Sequence, residues 1–465
     1  MLTQSDVRDK VVGVDREVPL INGTCRSYVN FDNAATTPAF KSVLNKVNEF
    51  SEWYGSVHRG TGFKSLLSTH IYDKCRQKVL QFVGGNEEDH TVIFTSNTTH
   101  ALNKLCNQID VGDDEVVLTT MTEHHSNMLP WRIKCHAEYI DVFDNDGTFN
   151  IERFKRTLDE TKKKIKLVAI TGASNVTGSM PPLREVSRIV HSYGAEFLVD
   201  AAQLISCRPI NMMPLSEHER IDYIVFSAHK IYAPFGVGVL VAPHKTFEGG
   251  EPDIVGGGTV DVVTFDDVTW TTAPEKEEAG SPNLVGVVAL IEALNVMRDM
   301  GCEYLLDNCR RLVKRLLHGL NSIPEITVYG TKDCDSGEDR GSVVSFNMDG
   351  MPHGLLAAIL GYEWGIGVRN GCFCAHPCVA KLLGISSEVF NHVADMIRKG
   401  DWTAVPGMVR VSFGVYNTED EIDYFINALQ EIVANGPQVR YTINPQTGEY
   451  SPEENAIDFD SYFSL

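Results

Sequence analysis

The chain has 465 residues, of which 43% are hydrophobic and 22% are charged, a composition typical of a globular protein that is too long for one ordinary hydrophobic core. Its formal net charge is −21, from 41 basic and 62 acidic residues. Because like charges repel phosphate at long range, this balance excludes nucleic acid and anionic membranes as expected partners. An anionic ligand must therefore be held by a local site.

The N-terminal segment MLTQSDVRDKVVGVDREVPL is interrupted by charges and contains no apolar region of a secretion signal. No uninterrupted apolar stretch of about 18 residues occurs, so no membrane-spanning helix is predicted. Eleven cysteines, an odd number, favour reduced thiols over a disulfide framework. The sequence thus predicts a cytoplasmic protein in which most cysteines, such as Cys75, Cys106 and Cys302, belong to the core.

Residues 1–27 are predicted to form an N-terminal arm, and residues 28–295 a large domain of alternating strands and helices. Seven apolar runs recur between amphipathic stretches: HTVIFT, EVVLTT, AEYIDV, KLVAIT, EFLVDA, DYIVFS and VGVLVA. Because these runs lack polar alternation, they predict a mainly parallel sheet covered by helices on both faces. The short Gly/Pro-containing link before VGVLVA indicates one antiparallel strand.

Residues 296–465 are predicted to form a smaller α+β domain. Near residue 285 the alternation of short apolar runs and amphipathic stretches ends, and long helical runs begin. Two long helical runs, LVGVVALIEALNVMRDM and YLLDNCRRLVKRLLHGL, precede the strand candidates ITVYG, SVVSFNM and MVRVSF and a closing helix, EDEIDYFINALQEIV. Residues 380–408 contain a further helical pattern. The chain after Gly436 is polar and punctuated by Pro and Gly, which favours an extended tail.

A lysine and an aspartate follow two of the apolar runs. Lys230 in FSAHK stands among small and apolar residues, an unusual place for a side chain that prefers solvent, and Asp200 follows EFLV. Carboxylates at the carboxyl ends of parallel strands point into the crevice where α/β proteins bind ligands. Together the two residues suggest pyridoxal phosphate, which forms a Schiff base with a lysine and pairs its ring nitrogen with an aspartate. Individually, Lys230 could be an exposed loop lysine and Asp200 a helix cap.

Polar clusters follow other predicted strands. FTSNTTHALNKLC places Thr98 and Thr99 at the start of a predicted helix, where backbone N–H groups and hydroxyls bind phosphate, although the same residues also make an ordinary N-cap. TEHHSNMLPW, GASNVTGSMPP and EAGSPN could build a site or form simple turns. No carboxylate or cysteine has a zinc-like spacing from His124 or His125, so no metal site is predicted there.

The segment VRNGCFCAHP carries Cys372 and Cys374 one residue apart, behind Arg369. One thiolate could be a nucleophile, since positive surroundings favour the reactive ionised form. Together with Cys378, the two cysteines could supply three metal ligands, but no partner motif offers a fourth. Inert buried thiols are the third alternative.

Over residues 28–433 the chain resembles group II cysteine desulfurases and selenocysteine lyases, class V aminotransferases of fold-type I. Ten segments carry the resemblance, in the family's order: VHRGTGFKS, NTTHALN, EHHSNMLPW, SNVTGSMPPL, LVDAAQ, FSAHKIYAPFGVGVL, GGGTV, EAGSPN, VRNGCFCAHP and VRVSFGVYNT. The resemblance implies a pyridoxal phosphate enzyme with a seven-stranded large domain and a smaller C-terminal domain. It also implies an amino-acid substrate, a homodimer and a protein that accepts sulfur.

The resemblance assigns roles around the cofactor. Lys230 would carry it covalently, Asp200 would pair with its ring nitrogen, and His124 would stack on the ring. The other contacts would come from Asn175, Gln203, Thr98, Thr99, Ser227, His229 and Ser281 of the partner subunit.

The resemblance also implies the reaction. Arg410 in VRVSF would hold the substrate carboxylate through its two-pronged guanidinium, while Asn175, His58 and Arg369 would line the substrate pocket. Lys230 would move the Cα proton, and Cys374 would attack the substrate sulfur. The products would be L-alanine, from L-cysteine or selenocysteine, and a persulfide on Cys374.

Three departures from the family pattern leave alternatives open. Cys372 replaces a residue that is often histidine, and it could resolve the persulfide or be inert. The stretch between Cys374 and Arg410 is longer than usual and could be a lid or a packed insertion. This longer stretch and Asn370, which stands where threonine is more typical, keep open another class V reaction. That reaction would be C–S lysis, epimerisation or transamination of a different amino acid. A non-catalytic scaffold is the third hypothesis.

Overall fold

The computed structural model describes residues 4–58, 60–214, 216–332, 340–454 and 457–465. Its helices are α1 (Gln4–Arg8), α2 (Lys41–Ser51), α3 (Phe63–Val83), α4 (Thr98–Gln108), α5 (Leu129–Lys134), α6 (Ile151–Glu160), α7 (Leu183–Ser192), α8 (Leu284–Met300), α9 (Cys302–Asn321), α10 (His353–Trp364), α11 (His376–Leu382), α12 (Ser387–Arg398) and α13 (Glu419–Asn435).

The strands up to residue 243 are β1 (Glu17–Pro19), β2 (Cys25–Ser27), β3 (Val29–Asn30), β4 (His90–Thr95), β5 (Glu115–Thr120), β6 (Ala137–Ile140), β7 (Lys164–Thr171), β8 (Glu196–Asp200), β9 (Tyr223–Ser227) and β10 (Gly238–Pro243). Those that follow are β11 (Val260–Val263), β12 (Val268–Trp270), β13 (Ile326–Tyr329), β14 (Val343–Met348), β15 (Ile366–Gly367), β16 (Arg369–Gly371), β17 (Met408–Ser412), β18 (Tyr441–Ile443) and β19 (Tyr450–Pro452).

The large sheet has seven strands in the order β4-β10-β9-β8-β7-β5-β6, and β10 is antiparallel to both of its neighbours. The predicted α/β fold, including the single antiparallel strand, is therefore confirmed. Gly238 begins β10 beside Asn97, and a Cβ at this position would collide with the Asn97 carbonyl group. Glycine therefore lets β10 approach the start of α4, where the predicted phosphate site lies.

Alternate residues of the central strands enter two separate cores. In β7, Val168 and Ile170 pack on one face of the sheet, whereas Leu167 and Ala169 pack on the other. Successive side chains of a strand point to opposite faces, so a strand covered on both sides needs apolar residues at every position. This explains why the seven runs lack polar alternation.

A second, antiparallel sheet, in the order β13-β14-β17-β16, forms another core with α9, α10 and α13. The closing helix α13 begins with a capping box between Thr418 and Glu421, which satisfies backbone N–H groups of the first turn. The buried residues of helix α8 pack in the core of the large sheet. The predicted domain boundaries at residues 28 and 296 remain predictions.

Segments of the predicted N-terminal arm and of the predicted tail pack against the rest of the chain or pair with each other. Val7 and Val11 are buried in the core of the large sheet, and β18 and β19 form a hairpin. Cys75 and Cys106 are buried as predicted, but Cys302 is exposed at the start of α9, so the prediction for Cys302 is wrong. A helix that could span a membrane is absent from the part of the chain that the structure describes.

The EAGSPN segment is anchored by a buried ion pair. Glu278 accepts hydrogen bonds from the Arg76 guanidinium at 2.7 and 2.8 Å, from the Tyr72 hydroxyl at 2.6 Å and from the Phe94 N–H at 2.6 Å. Burial by itself would lower the pKa of Arg76, but the Glu278 carboxylate raises it above the usual value. The pair therefore holds the predicted site segment against α3 and β4.

Replacing Glu278 by glutamine is expected to lower the free energy of unfolding by about 3–5 kcal/mol, because it leaves the Arg76 charge buried without its counter-ion. Urea denaturation measures this loss. The matched control is Glu152→Gln, which breaks an exposed pair with Lys155 at 3.0 Å and should leave the urea midpoint almost unchanged, because solvent screens an exposed pair. Equal effects of the two changes would contradict the prediction.

Candidate active site

The carboxyl ends of β7, β8 and β9 meet the small sheet at one cavity of about 340 Å³. Polar residues at strand ends converge there because parallel strands present their carboxyl ends at the same edge. Among the predicted site residues, those that line the cavity are Thr98, Thr99, His124, Asn175, Asp200, Gln203, Ser227, His229, Lys230, Arg369, Cys374 and Arg410.

His58 and Ser281 are not among the lining residues that this single chain supplies. His58 has a positive φ of 59° and its ring lies edge-on to Tyr72, with the centroids 6.0 Å apart. Ser281 is exposed, and its loop is tied to GGGTV by a hydrogen bond from the Gly280 N–H to the Gly257 carbonyl at 2.7 Å. Their predicted roles stay predictions.

Lys230 and Asp200 are two titratable groups that line the cavity. Lys230 ends a short 3₁₀ turn directly after β9, and Asp200 is the last residue of β8. Removal from water lowers the pKa of Lys230 to about 8, although the Asp200 carboxylate opposes the shift. Burial raises the pKa of Asp200. An amine with such a pKa is available as a nucleophile near neutral pH.

The predicted phosphate site lies at the N-terminus of α4. Asn97 caps the helix by accepting from the His100 N–H. Ser227 accepts from the Thr98 N–H at 2.8 Å and contacts the Thr98 hydroxyl at 2.6 Å. Helix N-termini favour anions because their first N–H groups lack partners within the helix. The hydroxyls and N–H groups of this turn could therefore hold a phosphate despite the negative net charge.

His124 presents a neutral ring to the cavity. Burial, with the nearby Lys230 charge, lowers the pKa of His124 to about 4, and its Nδ1 lies 2.9 Å from the Ser126 hydroxyl. The Ser126 hydroxyl in turn lies 2.7 Å from that of Thr99. His124 is thereby coupled to the phosphate site through Ser126, a residue that the sequence argument did not identify.

Glu123, directly before His124, is fully buried and was also missed. It accepts hydrogen bonds from the Thr120 hydroxyl at 2.6 Å and from the Asn127 amide at 2.7 Å. Burial raises the pKa of Glu123 to about 8, and the nearby Asp200 charge adds to the rise. Near neutral pH the carboxyl group is therefore largely protonated.

This carboxyl group predicts a pH-dependent stability. Because the pKa of Glu123 is raised on folding, its contribution is fully present below its unfolded value of 4.5 and is lost as pH rises through about 8. The free energy of unfolding should therefore fall between pH 5 and pH 9, by on the order of 4–5 kcal/mol from this group. Urea denaturation across this range should show a flatter profile for Glu123→Gln, whereas Glu152→Gln should follow the unmodified protein. An unchanged slope in Glu123→Gln would contradict the assignment.

Arg410 is the guanidinium of the cavity and is only 3% exposed. It donates to the Asn175 carbonyl at 3.1 Å and to Asp32 at 3.1 Å, while Arg369 lies 3.7 Å from the same Asp32 carboxylate. Burial lowers the pKa of Arg410, and Asp32 partly offsets the shift. Its Nε is buried and has no hydrogen-bond partner among the described residues. The Arg410 side chain lines the cavity, where a guanidinium fits a ligand carboxylate.

Cys374 lies at the tip of a strained turn. Phe373 and Cys374 have φ values of 52° and 55°, and the Ala375 N–H donates to the Cys372 carbonyl at 2.8 Å, as in a type I′ turn. Such backbone favours glycine or asparagine. The carbonyls of Phe373 and Cys374 accept hydrogen bonds from the Asn175 amide at 2.7 Å and from the His125 N–H at 2.8 Å. These two bonds hold the exposed thiol in the cavity.

The neighbouring cysteines have a different environment. Cys372 is 7% exposed, and its thiol donates to the Pro406 carbonyl at 3.0 Å. Burial raises the pKa of Cys372 to about 11 and that of Cys378 to about 12, so both favour the neutral thiol. The part of the chain that the structure describes contains no group of three His, Cys, Asp or Glu side chains that could hold a metal ion.

Comparisons with known proteins show what this chain is similar to. The family model of class-V aminotransferases matches residues 29–425. A probable cysteine desulfurase of Vibrio cholerae is 31% identical over 89% of this chain and 95% of its own, and a cysteine desulfurase of Escherichia coli O8 is 30% identical over 89% and 94%. The cysteine desulfurase of Thermococcus onnurineus has a TM-score of 0.77 at 30% identity, with 93% of this chain and 99% of that chain covered.

The cysteine desulfurase CsdA of Escherichia coli has a TM-score of 0.75 at 25% identity, again over 93% of this chain and 99% of its own. The resemblance on which the sequence argument rests is thus confirmed over most of the chain. The chain belongs to the class-V aminotransferase family.

Proposed function

We propose that this protein is a pyridoxal phosphate-dependent cysteine desulfurase that converts L-cysteine to L-alanine and takes up the sulfur on Cys374. The observation that carries the proposal is the position of the exposed Cys374 thiol, which lines the same cavity as Lys230, Asp200 and Arg410. A nucleophilic thiol, a buried amine and a buried guanidinium are the groups that this reaction needs.

The donor set of the cavity fits the cofactor. The Lys230 amine would attach the aldehyde, the Asp200 carboxylate would pair with the ring nitrogen, and the neutral His124 ring would lie on the ring face. Thr98, Ser227 and the N-terminus of α4 would hold the phosphate. When bound, pyridoxal phosphate stabilises negative charge at the substrate Cα.

The chain's own residues supply the remaining steps. Arg410 would orient the substrate carboxylate through its guanidinium, and Lys230 would remove the Cα proton and return a proton to the product carbon. Cys374 would attack the substrate sulfur as a thiolate, so that the substrate C–S bond breaks and an S–S bond forms. L-Cysteine and one enzyme thiol thereby become L-alanine and one enzyme persulfide. Selenocysteine, with the same shape, would follow the same path.

Exposed apolar residues support a homodimer. On the β11–β12 hairpin Val263 is 61% exposed and Phe265 is fully exposed, and such patches are typical of protein interfaces. The hydrogen bond between Gly257 and Gly280 links this region to the loop of Ser281. A second copy seated here would bring Ser281 of the partner subunit to the phosphate site. The Cys374 persulfide would then pass its sulfur to an acceptor protein.

Product analysis tests the proposed function. The protein loaded with pyridoxal phosphate and supplied with L-cysteine and a reductant should release alanine and sulfide in equal amounts. L-Serine, which has no sulfur, serves as the control and should give no alanine. Sulfide accompanied by pyruvate and ammonia instead of alanine would show β-elimination and overturn the proposal.

A further inference from the structure

We infer that His376 is a positioning residue that holds Cys374 in its reactive orientation by fixing His125. It directly follows the turn of residues 372–375, the nucleophile turn. The inference deepens the proposed function and rests on it for the role of Cys374. Its structural basis is a contact between two histidine rings that lie beside the cavity and outside the cofactor contacts.

The two rings form a directed hydrogen bond. They are parallel within 3°, with their centroids 4.8 Å apart. His125 Nε2 lies 3.0 Å from His376 Nδ1 and accepts from the His376 backbone N–H at 3.3 Å. Because Nε2 is already an acceptor, the hydrogen of the ring contact belongs to His376 Nδ1. Burial lowers the pKa of both histidines, and each is therefore neutral near pH 7.

The bond reaches the nucleophile through the backbone of His125. The His125 N–H donates to the Cys374 carbonyl at 2.8 Å, which is one of the two bonds that hold the turn. Phe373 and Cys374 both have left-handed φ values, and each costs roughly 1–2 kcal/mol relative to ordinary backbone. A turn with this cost persists only where its surroundings hold it. Releasing His125 should therefore let the turn relax and the thiol move.

The insertion between Cys374 and Arg410 also contacts His376. Phe390 of α12 packs edge-on against the His376 ring, with the centroids 6.1 Å apart, and Val393 of the same helix is buried. Helix α12 of the insertion thus contacts the residue that directly follows the nucleophile turn. This contact with Phe390 keeps the His376 ring against His125.

Three substitutions separate hydrogen bonding from packing. His376→Asn keeps a side-chain N–H near the position of Nδ1, His376→Phe keeps the ring but loses the donor, and His376→Ala loses both. The first readout is hydrogen exchange of the peptide containing residues 372–378, followed by mass spectrometry. It reports the Ala375 N–H that closes the turn and needs no enzymatic activity.

We expect exchange in this peptide to be about tenfold faster in His376→Phe and His376→Ala and close to the unmodified rate in His376→Asn. For alanine formation, kcat should fall about tenfold in the first two variants, with KM within about twofold, while His376→Asn keeps at least about a third of the rate. Phe390→Ala should give an intermediate loss.

The inference is overturned if His376→Phe keeps both the slow exchange and the full kcat, because packing alone would then suffice. It is equally overturned if His376→Asn loses as much as His376→Ala. If the unmodified protein forms no alanine, the proposed function fails, yet the exchange rates still decide whether His376 holds the turn. Urea midpoints of the three variants check that each remains folded.

Discussion

Replacing Lys230 by alanine is expected to reduce alanine formation from L-cysteine by at least about 10³-fold. The substitution removes both the amine that attaches the cofactor and the base that moves the Cα proton. No other lysine lines the cavity among the described residues, so no neighbouring amine can replace it. Borohydride reduction of the loaded protein, followed by peptide mapping, should place the cofactor on Lys230 and on no peptide of the variant.

The pKa of Lys230 adds a second readout. Attachment requires the neutral amine, and the pKa of about 8 is lower than that of an ordinary lysine. The rate at which the cofactor-free protein captures pyridoxal phosphate should therefore rise with pH and reach half its maximum near about pH 8. The matched control is Lys245→Ala, which removes a lysine with a 66% exposed side chain and should change turnover by less than about twofold. Covalent capture by Lys230→Ala at the unmodified rate would contradict the assignment.

Replacing Cys374 by alanine is expected to abolish alanine formation from L-cysteine, again by at least about 10³-fold, while the cofactor still attaches to Lys230. The thiol is the atom that takes the substrate sulfur, and its loss leaves the rest of the cavity intact. After one turnover without reductant, mass spectrometry of the unmodified protein should find one added sulfur on the Cys374 peptide. Alanine formation that survives in Cys374→Ala would contradict the role of Cys374, whereas activity of that variant on a different amino acid would favour another class V reaction.

Cys372→Ala is the matched control for this experiment. The Cys372 thiol is buried, bonded to the Pro406 carbonyl and held neutral by a raised pKa. Its removal should leave turnover within about threefold and cost about 1 kcal/mol of unfolding free energy for the lost bond and packing. A loss of turnover as large as that of Cys374→Ala would show that the two cysteines act together.

Much of the fold could be predicted from the sequence because both faces of the large sheet are buried. Each central strand then needs a continuous apolar run, and such runs are visible without any tertiary information. The helices α8 and α13 were predictable for a similar reason, since their apolar residues recur at helical spacing. The exposed Cys302 was predicted wrongly because a cysteine in a helical pattern does not indicate which face it lies on.

Part of the candidate site was predictable too. Asp200 ends an apolar run, and Lys230 and Thr98 each lie three residues after one, so their place near the strand ends depends only on local sequence. Glu123 and Ser126 were missed because nothing in TEHHSNMLPW distinguishes a buried acid or a coupling hydroxyl from an ordinary turn. Their partners lie on other strands or helices, and the contacts form only in the folded chain.

The amino-acid sequence alone was sufficient for the strand pattern, the lysine–aspartate pair and the family resemblance, because each depends on residues close together in the chain or on the order of short segments. The tertiary structure decided which sulfur faces the cavity. Cys372 and Cys374 are two residues apart, and only the left-handed turn between them, held by Asn175 and His125, turns one thiol to the cavity and the other to Pro406. Those restraints come from segments about 200 and about 250 residues away in sequence, which no local pattern can specify.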